Sequence, residues 1–328
     1  MKRITLSLLA AIGCAQASTM QERKEAMFES YKNKRVLVTG GCGFIGSHIT
    51  RTLVAHGAHV TVLDNLSSGF ADHIAPVSEQ ITFIEGDIRD KHTCLQATKG
   101  QEVIFHLAAF VSVPHSVEEP LLCNDINVDG TINMLEAARI NNVPRFVFSS
   151  SSAVYGQTEG ACTEETPSNP TSPYGFSKRI GELLCQQYSI NYGIGTICLR
   201  YFNVYGERQN PNAQYAAVVA KFNDLMHQDL PVTIFGDGQQ TRDFIPVEQV
   251  VKANLMMGLL ETAQMNGDIF NVATGKSISV IELFEQLKYT HPDYTQTPRF
   301  APARAGDVKH TSAVVTKLNA LSSRLLTP

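Results

Sequence analysis

Short apolar runs alternate with amphipathic stretches along the first two hundred residues of the chain. Six apolar runs have the length expected of buried strands: Val36–Val38, Val60–Leu63, Ile81–Ile84, Val103–Phe105, Arg145–Phe148 and Gly195–Leu199. Helical spacing of apolar residues occurs at Phe44–His56, about Leu121–Asn141 and about Tyr174–Tyr192. This alternation predicts an α/β fold with a doubly wound parallel sheet that helices cover on both faces.

The rhythm breaks after Arg200, where shorter elements and irregular stretches rich in Gly, Pro, Asn and Gln follow. We therefore interpret residues 34–200 as the doubly wound domain and residues 1–33 as an N-terminal extension. Residues 201–328 are expected to form mainly a smaller C-terminal substrate-binding lobe, with some segments returning to the first domain.

Composition limits the classes of partner. The chain has 328 residues, of which 43% are hydrophobic, and a formal net charge of −4. This charge gives no electrostatic reason to expect nucleic acid or an anionic membrane, although local arginines can still bind a small anion. The seven cysteines are scattered, without a CxxC pair or a Cys/His cluster at zinc spacing, so we expect reduced, buried thiols and no metal site.

A glycine-rich turn joins the first predicted strand to the first predicted helix. Gly40, Gly43 and Gly46 form a GxxGxxG pattern there, which suits a tight turn and close approach of a pyrophosphate to a helix N-terminus. Asp64 ends the second strand, 18 residues after Gly46, where a carboxylate can accept from the ribose hydroxyls. Because that carboxylate would repel a 2′-phosphate, residues 34–200 are interpreted as a Rossmann domain that binds NAD.

Tyr174 and Lys178 lie four residues apart at the start of a predicted helix, so their side chains share one face. An unperturbed phenol, with a pKa of about 10, is a poor base at neutral pH. A nearby ammonium, aided by a positive nicotinamide, would stabilise the phenolate. Four serines, Ser149–Ser152, follow the fifth strand at the edge where open α/β sheets bind ligands.

The N-terminal segment conflicts with an intracellular cofactor. Met1–Ala17 has two basic residues, an apolar run and an Ala15-Gln16-Ala17 sequence typical of a signal-peptide cleavage site. The dinucleotide signature downstream favours a cytoplasmic protein, and export is the alternative. No later stretch is long and apolar enough to span a bilayer.

Together these motifs resemble the extended short-chain dehydrogenase/reductase superfamily, of the NAD-dependent epimerase/dehydratase type, and within it the UDP-sugar 4-epimerases. The resemblance runs from about Arg35 to about Ser312. The matching stretches are VTGGCGFIGSHI, LDNLSSG, GDIRD, HLAA, NVDGT, SSSSAVYG, SPYGFSK, LRYFNVYG, GDGQQTRDF and RAGDV.

The resemblance implies a role for each matching residue. Ser151, Tyr174 and Lys178 take the catalytic positions. The residues implied to contact NAD are Gly40, Gly43, Phe44, Ile45, Asp64, Asn65, Asp87, Ile88, Ala108, Asn127, Ser149, Tyr174, Lys178 and Tyr201. The residues implied to contact the UDP-sugar are Ser112, Ser151, Asn203, Arg242, Arg304, Asp307 and Thr311.

The implied reaction is transient oxidation at sugar C4 followed by return of the hydride to the other face. The related dehydratases carry an Asp-Glu pair after the active-site hydroxyl residue, whereas this chain has Ser152-Ala153. Thr311 occupies a gate position at which a small residue admits an N-acetyl group, and Ser112 resembles a polar contact to that group. The resemblance therefore favours interconversion of UDP-GlcNAc and UDP-GalNAc, with some activity on UDP-glucose and UDP-galactose.

Two departures keep alternatives open. Ala313-Val314 replaces the usual Ala-Asp pair, and the chain stops at Pro328, short of the usual C-terminal helices. A catalytically impaired NAD-binding protein is one alternative, and another UDP-sugar enzyme, such as a uronate epimerase, a decarboxylase or a net reductase, is a second. The resemblance also implies a homodimer formed through helices Leu121–Asn141 and Tyr174–Tyr192.

Overall fold

A seven-stranded parallel sheet organises the protein in the computed structural model, which describes residues 26–210, 218–302 and 309–326. The strands of this sheet are β1 (Arg35–Thr39), β2 (His59–Asp64), β3 (Ile81–Glu85), β4 (Val103–His106), β5 (Arg145–Ser151), β6 (Gly195–Tyr201) and β10 (Asn266–Val272). Their order in the sheet is β3-β2-β1-β4-β5-β6-β10, and all six predicted strands are present. The predicted doubly wound parallel sheet is confirmed.

Helices cover both faces of this sheet because successive strand residues point to opposite sides. Val36 and Val38 pack with the helices Phe44–Ala55 and Val247–Gly258, whereas Leu37 packs with the helices Lys91–Thr98, Gly130–Ile140 and Pro173–Tyr192. The α-helices are α1 (Phe44–Ala55), α2 (Lys91–Thr98), α3 (Val113–Glu118), α4 (Pro120–Asn124), α5 (Gly130–Ile140), α6 (Pro173–Tyr192), α7 (Val218–His227), α8 (Val247–Gly258), α9 (Val280–Thr290) and α10 (Thr316–Leu326). The two apolar layers hold the carboxyl ends of the strands at one common edge.

The predicted helix at Leu121–Asn141 is interrupted. A π-helical turn at Asp125–Asp129 joins α4 to α5. Such turns interrupt the regular i→i−4 ladder and often occur at functional sites. Here the turn carries Asn127, one of the predicted NAD contacts.

The elements after β6 include two smaller sheets. They form a three-stranded sheet of β7 (Asn203–Tyr205), β9 (Thr241–Pro246) and β11 (Ser277–Ser279), and a two-stranded sheet of β8 (Thr233–Phe235) and β12 (Arg299–Ala301). A separate apolar cluster joins α7 to α9. Strand β10 leaves this region and pairs with β6 at the edge of the large sheet.

The signal-like segment Met1–Ala17 lies outside the described residues. Within the ranges that are described, no helix is long and apolar enough to cross a membrane.

Candidate active site

The loop between β1 and α1 brings the predicted phosphate-binding residues together. Gly40 has a φ of +69°, and a Cβ atom there would lie 2.7 Å from the Ala108 nitrogen. At Gly43 the nearest atom to an added Cβ would be the Gly40 oxygen, at 3.2 Å. No side chain caps α1, whose first turn contains Phe44 and Ile45. Gly40 thus packs the loop against β4, and the uncapped N–H groups of the first turn are available to a pyrophosphate.

Asp64 lies beside this loop, at the carboxyl end of β2. Its two carboxylate oxygens accept from the backbone N–H of Cys42, at 2.9 Å, and from that of Leu66, at 2.8 Å. The residue is only 7% exposed. Each oxygen keeps a lone pair, so the carboxylate is held in place and can still accept from two ribose hydroxyls.

A second carboxylate, that of Asp87, follows the neighbouring strand β3. Asn65 donates to Asp87 over 2.8 Å, and Arg89 forms a 2.8 Å ion pair with the same carboxylate. The hydrogen bonds and charge of Arg89 lower the pKa of Asp87 to about 2. Ile88 is buried beneath α5. The structure therefore brings Asn65, Asp87 and Ile88 to the same end of the cofactor region.

A buried histidine lies below Ala108. The Thr39 hydroxyl oxygen accepts from the N–H groups of Leu107 and Ala108, both at 3.2 Å, so its own hydrogen points to His106 Nδ1 at 2.8 Å. The ring proton is then assigned to Nε2, which lies 3.2 Å from Thr131 Oγ1. Burial lowers the pKa of His106 to about 3, so the ring is neutral.

Asn127 continues this network from the π-helical turn towards α6. Its carbonyl oxygen accepts from the Thr131 hydroxyl at 2.6 Å. Its side-chain amide accepts from the Phe110 N–H at 2.7 Å and donates to Ser177 Oγ at 2.9 Å. Asn127 therefore connects the loop after β4 to the helix that carries Tyr174 and Lys178.

The predicted reacting groups converge at the ends of β5 and β6. Lys178 is 4% exposed and donates through Nζ to the Ser149 carbonyl oxygen at 2.8 Å. The same Nζ lies 5.9 Å from the centre of the Tyr174 ring, and the Ser151 hydroxyl is close enough to the Tyr174 phenol to lower its pKa. Tyr201 lies 3.0 Å from the Ser149 hydroxyl. All five predicted residues thus share one site.

Burial opposes ionisation of both main groups in this site. It raises the pKa of Tyr174 to about 12, and the hydrogen bond from Ser151 offsets this only in part. It also lowers the pKa of Lys178 to about 8. Both shifts have the same cause, because removal from water destabilises an anion and a cation alike. The ammonium of Lys178 is therefore not sufficient on its own to lower the pKa of the Tyr174 phenol to near neutral pH.

The first turn of α6 is fixed by two serines. Ser172 caps the helix by accepting from the Gly175 N–H at 3.1 Å, and Pro173 occupies the first turn. Ser116, on α3, accepts from the Tyr174 N–H at 3.1 Å. The backbone of Tyr174 is therefore held from outside its own helix as well as from within.

Predicted sugar-nucleotide contacts lie on the elements that follow β6. Asn203 donates to Thr311 Oγ1 at 3.3 Å. The Arg242 guanidinium donates to the carbonyl oxygens of Thr241, at 2.9 Å, and Lys309, at 3.2 Å. Ser112 accepts from the His115 N–H as the cap of α3. Arg304 and Asp307, also predicted, lie outside the described residues.

Two ionisable residues beside the site were not predicted from the sequence. Glu182 and Arg200 are 0% and 1% exposed and form two hydrogen bonds, of 2.7 and 2.8 Å. Two signals could have pointed to them: Glu182 lies one helical turn after Lys178, and Arg200 interrupts an otherwise apolar strand.

The described cysteines are buried free thiols. Burial raises the pKa of Cys42, in the glycine-rich loop, to about 12. Among residues 26–210, 218–302 and 309–326, no three or more His, Cys, Asp and Glu side chains are grouped to hold a metal ion.

Comparison with known proteins gives consistent matches over most of the chain. The model of the NAD dependent epimerase/dehydratase family matches residues 36–273. The UDP-glucose 4-epimerase of Mycolicibacterium smegmatis is 40% identical over 282 residues, 84% of this chain and 88% of that protein. The UDP-N-acetylglucosamine 4-epimerase of Methanobrevibacter ruminantium, solved with UDP-N-acetylmuramic acid, is 39% identical with a TM-score of 0.84, covering 89% of this chain and 92% of the other. The UDP-glucose 4-epimerase of Thermus thermophilus, solved with NAD, is 36% identical with a TM-score of 0.78, covering 87% of this chain and 92% of the other.

Proposed function

We propose, because this chain belongs to the NAD dependent epimerase/dehydratase family, that it inverts C4 of a UDP-hexose through a 4-keto intermediate. The observation that carries the proposal is the convergence of Ser151, Tyr174 and Lys178 at the carboxyl edge of the parallel sheet. Ser152-Ala153 follows Ser151 without an acidic residue, which is consistent with epimerisation rather than dehydration.

NAD is the cofactor of this family. Gly43 and the first turn of α1 would hold its pyrophosphate, and Asp64 its adenosine ribose. We propose that residues 34–200, with β10, bind this cofactor, and that the other elements after residue 200 bind the UDP-sugar. When bound, NAD⁺ would supply a hydride acceptor for C4 and, once reduced, the hydride donor for the opposite face of the sugar.

The protein's own groups would manage the proton. Tyr174, as the phenolate, removes the proton of the C4 hydroxyl and returns it after the sugar has turned over. Lys178 and the positive nicotinamide together supply the charge that favours the phenolate. Ser151 donates to the phenolate or to the C4 oxygen, so that the two oxygens stay within proton-transfer distance.

The preferred substrate pair would be UDP-GlcNAc and UDP-GalNAc. Asn203 and Arg242, with Arg304 and Asp307, would hold the UDP part, since guanidinium groups suit a pyrophosphate. Thr311 is small and contacts Asn203, which leaves room for an N-acetyl group, and Ser112 would contact that group. UDP-glucose and UDP-galactose would also react.

A homodimer is the assembly that we propose. On α6, Phe176, Leu183 and Ile190 are exposed at intervals of seven residues, and Leu121 on α4 is 83% exposed. Residues seven apart on a helix lie on one face, so these side chains form an apolar stripe that a second copy would cover. We place the enzyme in the cytoplasm, where both UDP-sugars and NAD occur.

Product analysis tests the proposed reaction. Purified protein is incubated with UDP-GlcNAc and, separately, with UDP-glucose, without added NAD, and the sugars are identified. We expect UDP-GalNAc and UDP-galactose, with UDP-GlcNAc turned over faster. A uronate epimerase or decarboxylase would leave both substrates unchanged and act on UDP-uronates. A catalytically impaired NAD-binding protein would give no product from any of them.

A further inference from the structure

A buried ion pair lies directly behind the reacting groups. Glu182, one turn after Lys178 on α6, accepts from Arg200 Nε at 2.7 Å and from Arg200 Nη2 at 2.8 Å. Arg179 adds a third contact to Glu182, at 2.9 Å. The pair therefore joins α6, which carries Tyr174 and Lys178, to the end of β6, which carries Tyr201.

The pair also holds the end of β5. Because strand residues alternate between faces, Ser149 and Ser151 share one side of β5 and Ser150 points to the other. Ser150 donates to Glu182 Oε1 at 2.6 Å and is paired in register with Arg200 on β6. Its two neighbours are the serines that contact Lys178 and Tyr174.

The same guanidinium reaches the turn after β5. Arg200 lies 4.5 Å from the centre of the Tyr155 ring, a cation–π contact. Its Nη2 also donates to Ser168 Oγ at 3.3 Å, in a loop that carries none of the proposed reacting groups. The Glu182–Arg200 pair therefore contacts β5 and α6, which carry the proposed reacting groups, and also the loop with Ser168, which carries none.

Stability alone does not account for such a pair. Desolvation of two buried charges offsets most of their attraction, and well-packed apolar residues often replace such pairs without loss of stability. The charged pair instead fixes geometry, because its directional hydrogen bonds specify how α6, β5 and β6 pack together.

We propose that Glu182 and Arg200 are positioning residues that set the distance between Ser151 and the Tyr174–Lys178 pair through Ser150. This inference rests on the proposed function. The pair touches neither substrate nor cofactor in this account, because it acts on the far side of β5.

Two single substitutions separate positioning from packing. Ser150→Ala removes the hydroxyl that hydrogen-bonds β5 to Glu182. Ser168→Ala removes the hydroxyl that hydrogen-bonds Arg200 from the loop without reacting groups. We expect Ser150→Ala to lower kcat about tenfold, with KM and bound NAD unchanged, since small misplacement of reacting groups is costly. Ser168→Ala should keep the kcat of the unsubstituted enzyme. Equal kcat values for both variants would overturn the proposal.

A second measurement does not depend on turnover. The ¹³Cζ resonance of Tyr174, assigned with Tyr174→Phe, should shift in Ser150→Ala and stay in place in Ser168→Ala. An unmoved resonance in Ser150→Ala would refute the positioning role. If the unsubstituted protein forms no epimer, the proposed function fails, and the resonance still decides whether the pair places the Tyr174 phenol.

Discussion

The phenol of Tyr174 and the ammonium of Lys178 illustrate at the residue scale how one environment acts on opposite charges. Burial raises the pKa of the phenol to about 12 and lowers that of the ammonium to about 8. Below pH 8 Lys178 is still mainly protonated. In the proposed mechanism, a bound nicotinamide with its positive charge would supply the remaining stabilisation of the phenolate.

Thr311 gives a residue-scale prediction about specificity. Thr311→Tyr should lower kcat/KM for UDP-GlcNAc more than tenfold and that for UDP-glucose only a few-fold, because the larger side chain fills the space proposed for the N-acetyl group. Thr311→Ser, which keeps the hydroxyl that Asn203 contacts, is the control and should behave like the unsubstituted enzyme. An equal loss on both substrates would show that Thr311 does not select between them.

His106 gives a prediction about pH. Its pKa is about 3 in the folded protein and about 6.5 in an unfolded chain. The unfolded state therefore binds the proton first, and the stability contributed by the neutral ring is lost as the pH falls below about 6.5. Between pH 7 and pH 5 this loss is about 2 kcal/mol in the free energy of unfolding.

Urea unfolding at the two pH values measures the loss. His106→Gln cannot titrate there, so its free energy of unfolding should fall less between pH 7 and pH 5 than that of the unsubstituted protein. Identical falls would mean that His106 is not held neutral.

How far single residues could be predicted depended on whether their signal was local. Tyr174 and Lys178 share a helical turn, and Gly40, Gly43 and Asp64 stand at the ends of predicted strands, so sequence spacing was sufficient to group them. Glu182 and Arg200 each stand out in the sequence, but they pair across 18 residues of chain, and that pairing is visible only when α6 packs on β6. Long-range polar pairing leaves no periodic trace in a sequence.

Among the elements, the start of α6 matters most for the site, because its first turn carries Tyr174. Ser172→Ala removes the acceptor for the Gly175 N–H and should lower the free energy of unfolding by about 1 kcal/mol. Ser78→Ala, at an exposed serine that caps no α-helix, is the control and should change it little. Urea titration measures the free energy of unfolding of both variants. Equal values would show that Ser172 does not stabilise the start of α6.

Elements with clear periodicity could be predicted and irregular ones could not. The helix at Tyr174–Tyr192 was placed within one residue of α6 at its start. The stretch Leu121–Asn141 has the apolar spacing of one helix, but a π-helical turn at Asp125–Asp129 divides it. That turn places Asn127 against Phe110 and Ser177, and such tertiary contacts override local helical spacing.

The fold of the whole molecule followed from the alternation of strands and helices, because few topologies satisfy parallel pairing with right-handed crossovers. Some segments after residue 200 were expected to return to the first domain, but the strand β10 itself could not be identified, since it pairs with β6 more than sixty residues after β6 ends. This return joins the later elements to the edge of β6, next to Tyr201 and Asn203. Asn203, a proposed substrate contact, therefore follows Tyr201, a proposed cofactor contact, at the carboxyl end of β6.

Assembly is also decided at the scale of the whole molecule. Leu183→Glu places a charge within the apolar stripe of α6 and should convert the proposed dimer into a monomer in sedimentation velocity. Tyr289→Glu, at a 90% exposed position on α9 outside the stripe, is the control and should leave the dimer intact. A Leu183→Glu protein that sediments as a dimer would exclude this surface as the interface.

The turnover of Tyr174→Phe, measured together with its bound NAD, decides whether Tyr174 moves the proton. We expect kcat for UDP-GlcNAc to fall about a hundredfold or more, because the base is lost, while the amount of NAD released on denaturation stays the same. Turnover close to that of the unsubstituted enzyme, with NAD in place, would contradict the assignment of Tyr174 as the group that moves the proton.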